Sequence, residues 1–323
     1  MSILITGAAG FIGANLIRRL LPLGMPIFGV DNLSNGSVCN ISDAIKEGRF
    51  TFIQADVSDS AALTSALADV KGVTEVWHLA ANSDIPKGIA DPRIDFRDTF
   101  ATTFNILQWM AQERVPRLFF ASTSAVYGDH GTNVLSEATG PLLPLSNYGA
   151  MKLASEAQIS AATESKLQQS VIFRFPNVVG TPATHGVILD FVRRLKANAD
   201  QLDVLGDGTQ QKAYLHVDEL VDAMLHVREL PSLGRRSIFN VGPENDGGVT
   251  VKAIATQVVE KVAPSANICY GAGNKGWVGD VPRFIYSVER LKAHGWQPQL
   301  SSAEAIRKAI CEIVDQEVRK QKT

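Results

Sequence analysis

The chain has 323 residues, of which 45% are hydrophobic and 20% charged, a balance that is ordinary for a globular enzyme with one large α/β core or two lobes. Its 31 basic and 33 acidic residues give a net charge of -2, so we expect no binding to nucleic acid or to an anionic membrane surface. The sequence has no apolar run near the roughly 20 residues of a membrane-spanning helix, so we also expect no membrane partner.

The first predicted element is a short apolar strand over residues 2–6, followed directly by a glycine-rich turn and an apolar pattern with helical period. In this order, Gly7 permits the tight turn and Gly10 lets the backbone approach a pyrophosphate. Gly13 lets the helix pack close to the strand. The sequence therefore predicts a dinucleotide site, with the pyrophosphate at the helix N-terminus, where free N–H groups favour an anion.

The second predicted strand, residues 26–30, ends at Asp31, about twenty residues beyond the glycines. A carboxylate at this position binds the ribose hydroxyls of a dinucleotide and repels a 2′-phosphate. No arginine follows immediately, so we predict NAD rather than NADP as the cofactor.

Strands and helices alternate through the first half of the chain, which is the βαβ rhythm of a parallel sheet. We therefore predict an α/β fold: a Rossmann-type doubly wound parallel sheet with a second, smaller substrate-binding lobe and a ligand cleft between the two. Residues 1–176 form the predicted NAD-binding domain, with later strands returning from about residues 207–250, and residues 177–323 form mainly the nucleotide-sugar lobe. The other predicted strands span residues 50–54, 75–79, 117–122 and 171–175, and the predicted helices span residues 93–112, 148–163 and 302–318.

Tyr148 and Lys152 are four residues apart on a predicted helix, so their side chains share one face. A nearby cation favours phenolate over phenol, and we expect Lys152 to lower the pKa of Tyr148 from its usual value of about 10. Such a phenol takes a proton from a sugar hydroxyl near neutral pH when a hydride acceptor is present.

The three cysteines, Cys39, Cys269 and Cys311, have no metal-ligand spacing, and the six histidines form no paired motif. We therefore expect free thiols, no metal ion and a reducing, cytoplasmic location. The chain enters a core strand at once, so we expect no signal peptide. His78 lies within a predicted strand and is most simply a core residue or one close to the cofactor.

Sequence blocks in a fixed order run from Met1 to about Pro298. They are TGAAGFIG from Thr6, DNLSNG from Asp31, ADV ending at Val57, HLAA from His78, STSAVYG from Ser122, YGAMK from Tyr148, FRFPNVVG from Phe173, LGDGTQQKAYLHVDEL from Leu205, FNVG from Phe239, KGWVGD from Lys275 and GWQP from Gly295. The ordered set resembles the extended short-chain dehydrogenase/reductase family, and within it the nucleotide-sugar epimerases and dehydratases. The segment 185–188 and the loop 276–280 are similar to those of a UDP-glucose 4-epimerase subgroup.

This resemblance implies a catalytic triad of Thr123, Tyr148 and Lys152. Thr123 lies four positions before the tyrosine of VYG; its hydroxyl would hydrogen-bond the reacting sugar oxygen. Lys152 would bind the nicotinamide ribose and keep Tyr148 ionised. The implied cofactor-binding residues, besides Tyr148 and Lys152, are Gly7, Gly10, Phe11, Ile12, Gly13, Asp31, Asn32, Asn35, Asp56, Val57, Leu79, Ala80 and Ala81.

The resemblance also implies where the nucleotide sugar binds, with Asn177 at the diphosphate. The implied substrate-binding residues are Thr123, Asn177, His185, Val187, Lys212, Lys275 and Asp280. The chain departs from the family in having Lys212 and Lys275 where arginine is usual, since lysine gives charge without a planar fork. Either lysine is also consistent with a solvated surface charge.

A second departure concerns the helix near the nicotinamide. Thr99 stands where asparagine is commonly expected, and Thr102 stands where a glycine is expected. We expect these departures to leave cofactor binding intact in outline and to bear on the fine positioning of the substrate.

The residues after Thr123 distinguish the possible reactions. The 4,6-dehydratases carry Asp-Glu there, whereas this chain has Ser124 and Ala125, which disfavours dehydration. The 3,5-epimerases need a cysteine-type acid/base in the same region, where this chain has none. We therefore predict C4 epimerisation of a nucleotide sugar of the UDP-glucose/UDP-galactose type, with NAD as cofactor and Tyr148 as acid/base.

Other readings stay open. A nucleotide-sugar 4-dehydrogenase or ketoreductase would use the same residues with exchangeable NAD(H). UDP-glucuronate decarboxylation needs an arginine aimed at a C6 carboxylate, and a non-catalytic NAD-sensing protein would be expected to lack the Tyr and Lys. The family also implies a homodimer formed through the helices over residues 93–112 and 148–163.

Overall fold

The computed structural model describes residues 1–244, 246–273 and 285–319. The predicted substrate residues Lys275 and Asp280 lie outside these residues. No helix within the described ranges is both long and apolar enough to span a bilayer.

The structure contains strands and helices in alternation through its first half. The strands are β1 (Ser2–Thr6), β2 (Ile27–Asp31), β3 (Phe50–Gln54), β4 (Val73–His78), β5 (Arg117–Thr123), β6 (Val134–Leu135), β7 (Gln169–Phe175), β8 (Asn177–Val179), β9 (Gln201–Val204), β10 (Gln211–Lys212), β11 (Tyr214–His216), β12 (Arg236–Asn240), β13 (Val249–Thr250), β14 (Asn267–Tyr270) and β15 (Ile285–Tyr286). The α-helices are α1 (Phe11–Leu20), α2 (Ser42–Lys46), α3 (Ser60–Ala66), α4 (Ile85–Ala90), α5 (Pro92–Asp95), α6 (Thr102–Glu113), α7 (Asn147–Ser165), α8 (Val187–Ala197), α9 (Val217–Arg228), α10 (Val251–Val262), α11 (Glu289–Ala293) and α12 (Ser302–Arg319).

The chain divides into two compact units. The first comprises residues Met1–Gly128, Gly140–Arg174 and Met224–Phe239, and the second comprises Asp129–Thr139, Phe175–Ala223 and Asn240–Thr323. Each unit therefore takes segments from more than one part of the chain.

A seven-stranded sheet forms the centre of the first unit, in the order β12-β7-β5-β4-β1-β2-β3. The pairings of β1 with β2 and β4, of β2 with β3, and of β4 with β5 are parallel. Counted by its own strands, the sheet has the order 7-6-5-4-1-2-3, which is the doubly wound arrangement. The predicted Rossmann-type sheet is confirmed. Its strand order reverses between β1 and β4, where such sheets bind ligands.

The interior of this sheet is apolar because its strands are covered on both faces. All five residues of β1 are buried. Three aromatic rings on neighbouring strands stack across one face: the ring centroids of Trp77 and Phe119 are 4.1 Å apart, and those of Phe119 and Phe173 are 6.4 Å apart. These contacts hold β4, β5 and β7 in register.

The helix predicted over residues 93–112 is interrupted. Between α5 and α6 the segment Phe96–Ala101 is a π-helix. The hydroxyls of Thr102 and Thr103 both donate to the Thr99 carbonyl, at 2.9 and 3.0 Å. When side-chain hydroxyls donate to a backbone carbonyl, the regular i→i−4 hydrogen-bond pattern of an α-helix can change locally to a wider turn. Hydrophobic periodicity alone does not reveal such a segment.

The second unit has a core formed largely by α8, α10 and α12. Ile188, Val192, Ile254, Ile306 and Ile310 are among its buried residues. The amphipathic helix predicted over residues 302–318 matches α12, and its apolar face packs inward as expected.

A buried histidine links α12 to β11 in the second unit. His216 Nε2 lies 3.1 Å from Glu312 and its Nδ1 lies 3.3 Å from Asp218. Burial disfavours the charged ring, but hydrogen bonds to Asp218 and Glu312 outweigh burial and raise the pKa of His216. The three groups are close enough to hold a metal, yet the Lys308 ammonium lies 2.6 Å from Asp218 and would repel one. The cluster is an ion-pair network that ties α12 to the strand.

Candidate active site

The glycine-rich turn joins β1 to α1 with very close backbone contacts. Gly7 has φ 69°, and a Cβ at that residue would lie 2.9 Å from the Ala80 nitrogen. A Cβ at Gly13 would lie 2.1 Å from the Gly7 oxygen. The helix begins directly after Gly10, with Phe11 and Ile12 half-buried in its first turn. Its leading N–H groups therefore point toward the turn, as an anion site requires.

Asp31 ends β2 beside this turn and is buried. Its carboxylate accepts hydrogen bonds from the Ala9 nitrogen at 3.0 Å and from the Leu33 nitrogen at 2.8 Å. Burial raises the pKa of Asp31, although these backbone hydrogen bonds act against it. The carboxylate is thus fixed in position at the end of the second strand, where an NAD ribose is expected.

The segment after β3 brings further predicted cofactor residues toward the same edge. The exposed Asn32 donates to Asp56 at 3.3 Å. Burial acts to raise the pKa of Asp56, but hydrogen bonds from Ser58 outweigh it and lower that pKa. Val57 is buried, and its carbonyl accepts from Asn105 at 3.0 Å. Asn35 is exposed.

The residues after β4 complete this edge. The Leu79 nitrogen donates to the Thr6 carbonyl, and the Ala80 nitrogen donates to the Thr6 hydroxyl, both at 3.2 Å. Ala81 is half-buried beside them. Leu79 and Ala80 therefore pass directly against Gly7, at the point where the strand order reverses.

His78 is a core residue held by two threonines. Its Nδ1 lies 2.7 Å from the Thr6 hydroxyl and its Nε2 lies 3.1 Å from the Thr103 hydroxyl. Burial, with a smaller contribution from the Lys152 charge, lowers the pKa of His78 to about 3. The ring is therefore neutral across the physiological range and carries no charge into the site.

Thr123, Tyr148 and Lys152 come together at the end of β5. The Thr123 hydroxyl accepts from the Ala125 nitrogen at 3.2 Å, and its side chain is close enough to the Tyr148 phenol to act on its pKa. Lys152 is buried; its Nζ lies 5.9 Å from the Tyr148 ring centroid and donates to the Ala121 carbonyl at 2.6 Å. Helix α7 begins at Asn147, capped by the Ser146 side chain, so the tyrosine lies in its first turn.

The prediction that Lys152 lowers the pKa of Tyr148 is wrong: in this structure that pKa is raised. Burial raises the pKa of Tyr148 to about 12, the hydrogen bond from Thr123 opposes the rise, and the Asp95 carboxylate adds to it. Burial also lowers the pKa of Lys152 to about 7. The i,i+4 spacing brings the two groups together, but desolvation of both outweighs their mutual effect.

A buried charge network supports this triad, and the sequence interpretation missed it. Glu156 accepts from Ser122 at 2.5 Å and receives two hydrogen bonds from Arg174, at 3.0 and 2.6 Å. Glu156 follows Lys152 by four residues, so the same spacing rule that selected Tyr148 and Lys152 could have found it.

Two of the departures from the family are accommodated by local contacts. The Thr99 hydroxyl accepts from the Asn82 nitrogen at 3.2 Å, and Thr102 bonds back to the Thr99 carbonyl. The Asn82 amide also donates to the fully buried Asp95 at 2.8 Å. These threonines therefore help to shape the π-helical segment beside the end of β4.

Four predicted substrate residues lie in the second unit. Asn177 is exposed and pairs in register with Tyr214. Lys212 lies on β10, two residues before Tyr214. His185 is exposed, with its Nδ1 2.9 Å from the Thr184 hydroxyl, and Val187 is the first residue of α8. That these residues bind substrate stays a prediction.

The first unit thus brings the predicted cofactor and catalytic residues to the carboxyl ends of β1, β2, β4 and β5. The turn fits a dinucleotide because a side chain at Gly13 would clash with the turn backbone against which α1 packs, and a side chain at Gly7 would clash with Ala80. Which individual residues contact NAD stays a prediction.

Comparison with known proteins gives concordant matches. Residues 3–242 match the model of the NAD dependent epimerase/dehydratase family. A UDP-glucose 4-epimerase of Mycolicibacterium smegmatis is 30% identical over 316 residues, covering 96% of this chain and 97% of that protein. The crystal structure of a UDP-galactose 4-epimerase has a TM-score of 0.85 at 33% identity, covering 98% and 100% of the two chains. A Thermus thermophilus UDP-glucose 4-epimerase in complex with NAD has a TM-score of 0.83 at 29% identity, covering 97% and 99%.

Proposed function

The chain belongs to the NAD dependent epimerase/dehydratase family, and on that premise we propose that it interconverts the C4 epimers of a UDP-hexose, such as UDP-glucose and UDP-galactose. It is an NAD-dependent enzyme of the extended short-chain dehydrogenase/reductase family. The UDP-glucose and UDP-galactose 4-epimerases among its relatives support the choice of carbon and of nucleotide.

The observation that carries the proposal is the juxtaposition of Thr123, Tyr148 and the buried Lys152 at the end of β5, where the Thr123 side chain acts on the phenol and the Lys152 Nζ lies 5.9 Å from its ring centroid. The two residues that follow, Ser124 and Ala125, offer no carboxyl group for eliminating water. With Tyr148 as the acid/base beside Thr123, this arrangement suits proton transfer at a single carbinol carbon.

In the proposed reaction Tyr148 takes the proton of the 4-hydroxyl, through or beside Thr123. NAD, held at the glycine-rich turn and Asp31, would supply reversible hydride acceptance at C4. The 4-keto sugar turns about its diphosphate linkage and presents its other face. Tyr148 then returns the proton to the new C4 oxygen, so the configuration inverts without net oxidation. The chain contributes mainly orientation and the acid/base group.

Tyr148 is half-buried, and the desolvation that raises its pKa favours the neutral phenol. Positive charge nearby favours the phenolate; the Lys152 Nζ lies 5.9 Å from the Tyr148 ring centroid, and NAD would add positive charge when bound. We therefore infer that Tyr148 becomes a useful base chiefly in the loaded enzyme and, once protonated, donates the proton in the return step.

Proton NMR of the purified protein with UDP-galactose, without added cofactor, tests the proposal. We expect the anomeric doublet of UDP-glucose to grow without net NADH. NADH accumulating in step with a keto product, once NAD is added, would instead favour the second candidate, a nucleotide-sugar 4-dehydrogenase or ketoreductase with the same residues. No turnover of any UDP-, GDP- or dTDP-sugar in the presence of NAD would contradict both.

We also propose a homodimer formed through the α5–α6 segment and α7. Phe96 and Phe104 are 56% and 42% exposed, one on each side of Phe100 along one helical face, and the Phe96 and Phe100 ring centroids are 5.9 Å apart. The double substitution Phe96→Glu/Phe104→Glu should convert a dimer to a monomer in sedimentation velocity, because charge disfavours burial of that face. Leu205→Glu, at another exposed apolar residue, is the control. A dimer that survives the double substitution would contradict this interface.

A further inference from the structure

Glu156 and Arg174 form an ion pair that is almost fully buried directly beneath the catalytic residues. Their side chains are 6% and 4% exposed, and Arg174 Nη2 lies 2.6 Å from Glu156 Oε2. Such a pair costs desolvation energy, and an apolar replacement is often at least as stable. Stability alone therefore does not account for charges at this position.

The pair connects the three elements that hold the site. Glu156 lies on α7, one turn after Lys152. It accepts from Ser122, the residue before Thr123 on β5, and Arg174 comes from the end of β7. Lys152 makes a second link between α7 and β5 through the Ala121 carbonyl. Two hydrogen bonds thus fix the register of the catalytic helix against the strand that presents Thr123.

We propose that Glu156 is a positioning residue that holds Lys152 as a cation beneath Tyr148, and that Arg174 limits this effect by partly neutralising the Glu156 carboxylate. Burial works against the Lys152 ammonium, and the Glu156 carboxylate works in its favour. The kinetic consequence depends on the function proposed above, whereas the effect on Lys152 does not.

The other groups that face Lys152 add little charge, so its protonation depends mainly on burial and on the Glu156 carboxylate. His78, on β4, is neutral because burial lowers its pKa to about 3. Tyr148, on α7, is uncharged near neutral pH because burial raises its pKa to about 12. Asp95, on α5, acts on Tyr148. The Phe120 ring centroid lies 4.6 Å from the Lys152 Nζ and adds a weaker attraction. Within the described part of the chain, Glu156 is the carboxylate whose charge favours the Lys152 ammonium.

The direct test is a carbon-13 NMR titration of the Lys152 Cε in lysine-labelled protein, with the signal assigned through Lys152→Arg. Glu156→Gln removes the charge and keeps the shape of the side chain. We expect the Lys152 midpoint to fall by about one pH unit, because the ammonium loses its supporting carboxylate. Arg174→Gln leaves that carboxylate uncompensated, so we expect the midpoint to rise.

The matched control is Ser122→Ala, which removes a hydrogen bond to Glu156 and changes no charge; its midpoint should stay at the wild-type value. The double variant Glu156→Gln/Arg174→Gln removes both charges together and is the replacement test if either single variant does not fold. We expect the double variant to lower the Lys152 midpoint by less than Glu156→Gln does. An unchanged midpoint in both Glu156 variants, or shifts of the same sign in Glu156→Gln and Arg174→Gln, would overturn the proposal.

The pH dependence of kcat gives the kinetic readout. If the ammonium supports turnover, activity falls as pH rises through the pKa of Lys152. Glu156→Gln should then shift this alkaline limb to lower pH by about one unit, as it shifts the NMR midpoint. Well above the limb, kcat should fall roughly tenfold. A purely structural defect would lower kcat at every pH without moving the limb. A wild-type protein that turns over no nucleotide sugar would contradict the proposed function and leave the titration result intact.

Discussion

Tyr148→Phe should lower kcat by roughly 10²- to 10⁴-fold, the range expected for loss of a positioned acid/base. The phenol is the group that moves the 4-hydroxyl proton in the proposed reaction, beside the Thr123 side chain that acts on it. Phenylalanine keeps the ring and its packing, and loss of a single hydroxyl that can hydrogen-bond costs about 1 kcal/mol of stability. Folding and the glycine-rich turn should therefore be preserved.

The measurement is single-substrate turnover together with NAD affinity by titration calorimetry. We expect kcat to collapse while the dissociation constant of NAD changes by less than roughly threefold, or about 0.7 kcal/mol. Tyr270→Phe, at a phenol on β14 in the second unit, is the matched control and should retain both. Near-normal turnover in Tyr148→Phe would remove Tyr148 from its assigned role.

Gly13→Ala should damage the cofactor site through backbone geometry alone. The added Cβ would lie 2.1 Å from the Gly7 oxygen and 2.9 Å from the Ala8 Cα, both backbone atoms that no side-chain rotation can move away. The helix must shift away from the turn, which costs about 1–3 kcal/mol as overpacking does. Because the same turn is expected to hold the pyrophosphate, NAD affinity should fall roughly 10- to 100-fold.

Thermal unfolding with and without NAD separates the two parts of this effect. Gly13→Ala should melt at a lower temperature than the wild type. Added NAD should also raise its melting temperature by less, since a ligand that binds more weakly stabilises the folded state less. Gly48→Ala is the control, because a Cβ there has no atom within 4 Å among the residues that the structure describes. A Gly13→Ala protein with wild-type melting and NAD response would contradict the assigned role of the turn.

The parts of the fold that sequence predicted well are those fixed by local pattern. β1 and β3 occupy the predicted residues; for β1 the reason is a short apolar run before the glycine-rich turn, which defines a buried strand without reference to its neighbours. The glycine spacing was similarly informative for Gly13, since the atoms that a Cβ there would meet belong to the same strand–turn–helix unit, whereas the close contacts of Gly7 are with Leu79 and Ala80. The family resemblance then identified the triad whose members the structure brings together.

The features that sequence did not predict depend on tertiary surroundings. The predicted direction of the Tyr148 pKa shift was wrong because helical spacing indicates only that a lysine is near. Desolvation of the phenol, which depends on the whole folded unit, has the larger effect and raises the pKa. The π-helical segment at Phe96–Ala101 arises from threonine hydroxyls that bond back to a carbonyl, which hydrophobic periodicity does not report. Arg174 reaches Glu156 only because β7 lies beside α7 in the folded unit.

The position of β12 has a consequence for the nascent chain. β12 forms one edge of the seven-stranded sheet, next to β7, but it is synthesised only after α8 and α9. Until it leaves the ribosome, β7 presents an unpaired row of N–H and C=O groups, an edge that another nascent chain can pair with. Because synthesis proceeds from the N-terminus, the sheet that carries the cofactor turn is closed by one of its latest segments. Translation that pauses before residue 236 would prolong the aggregation-prone state.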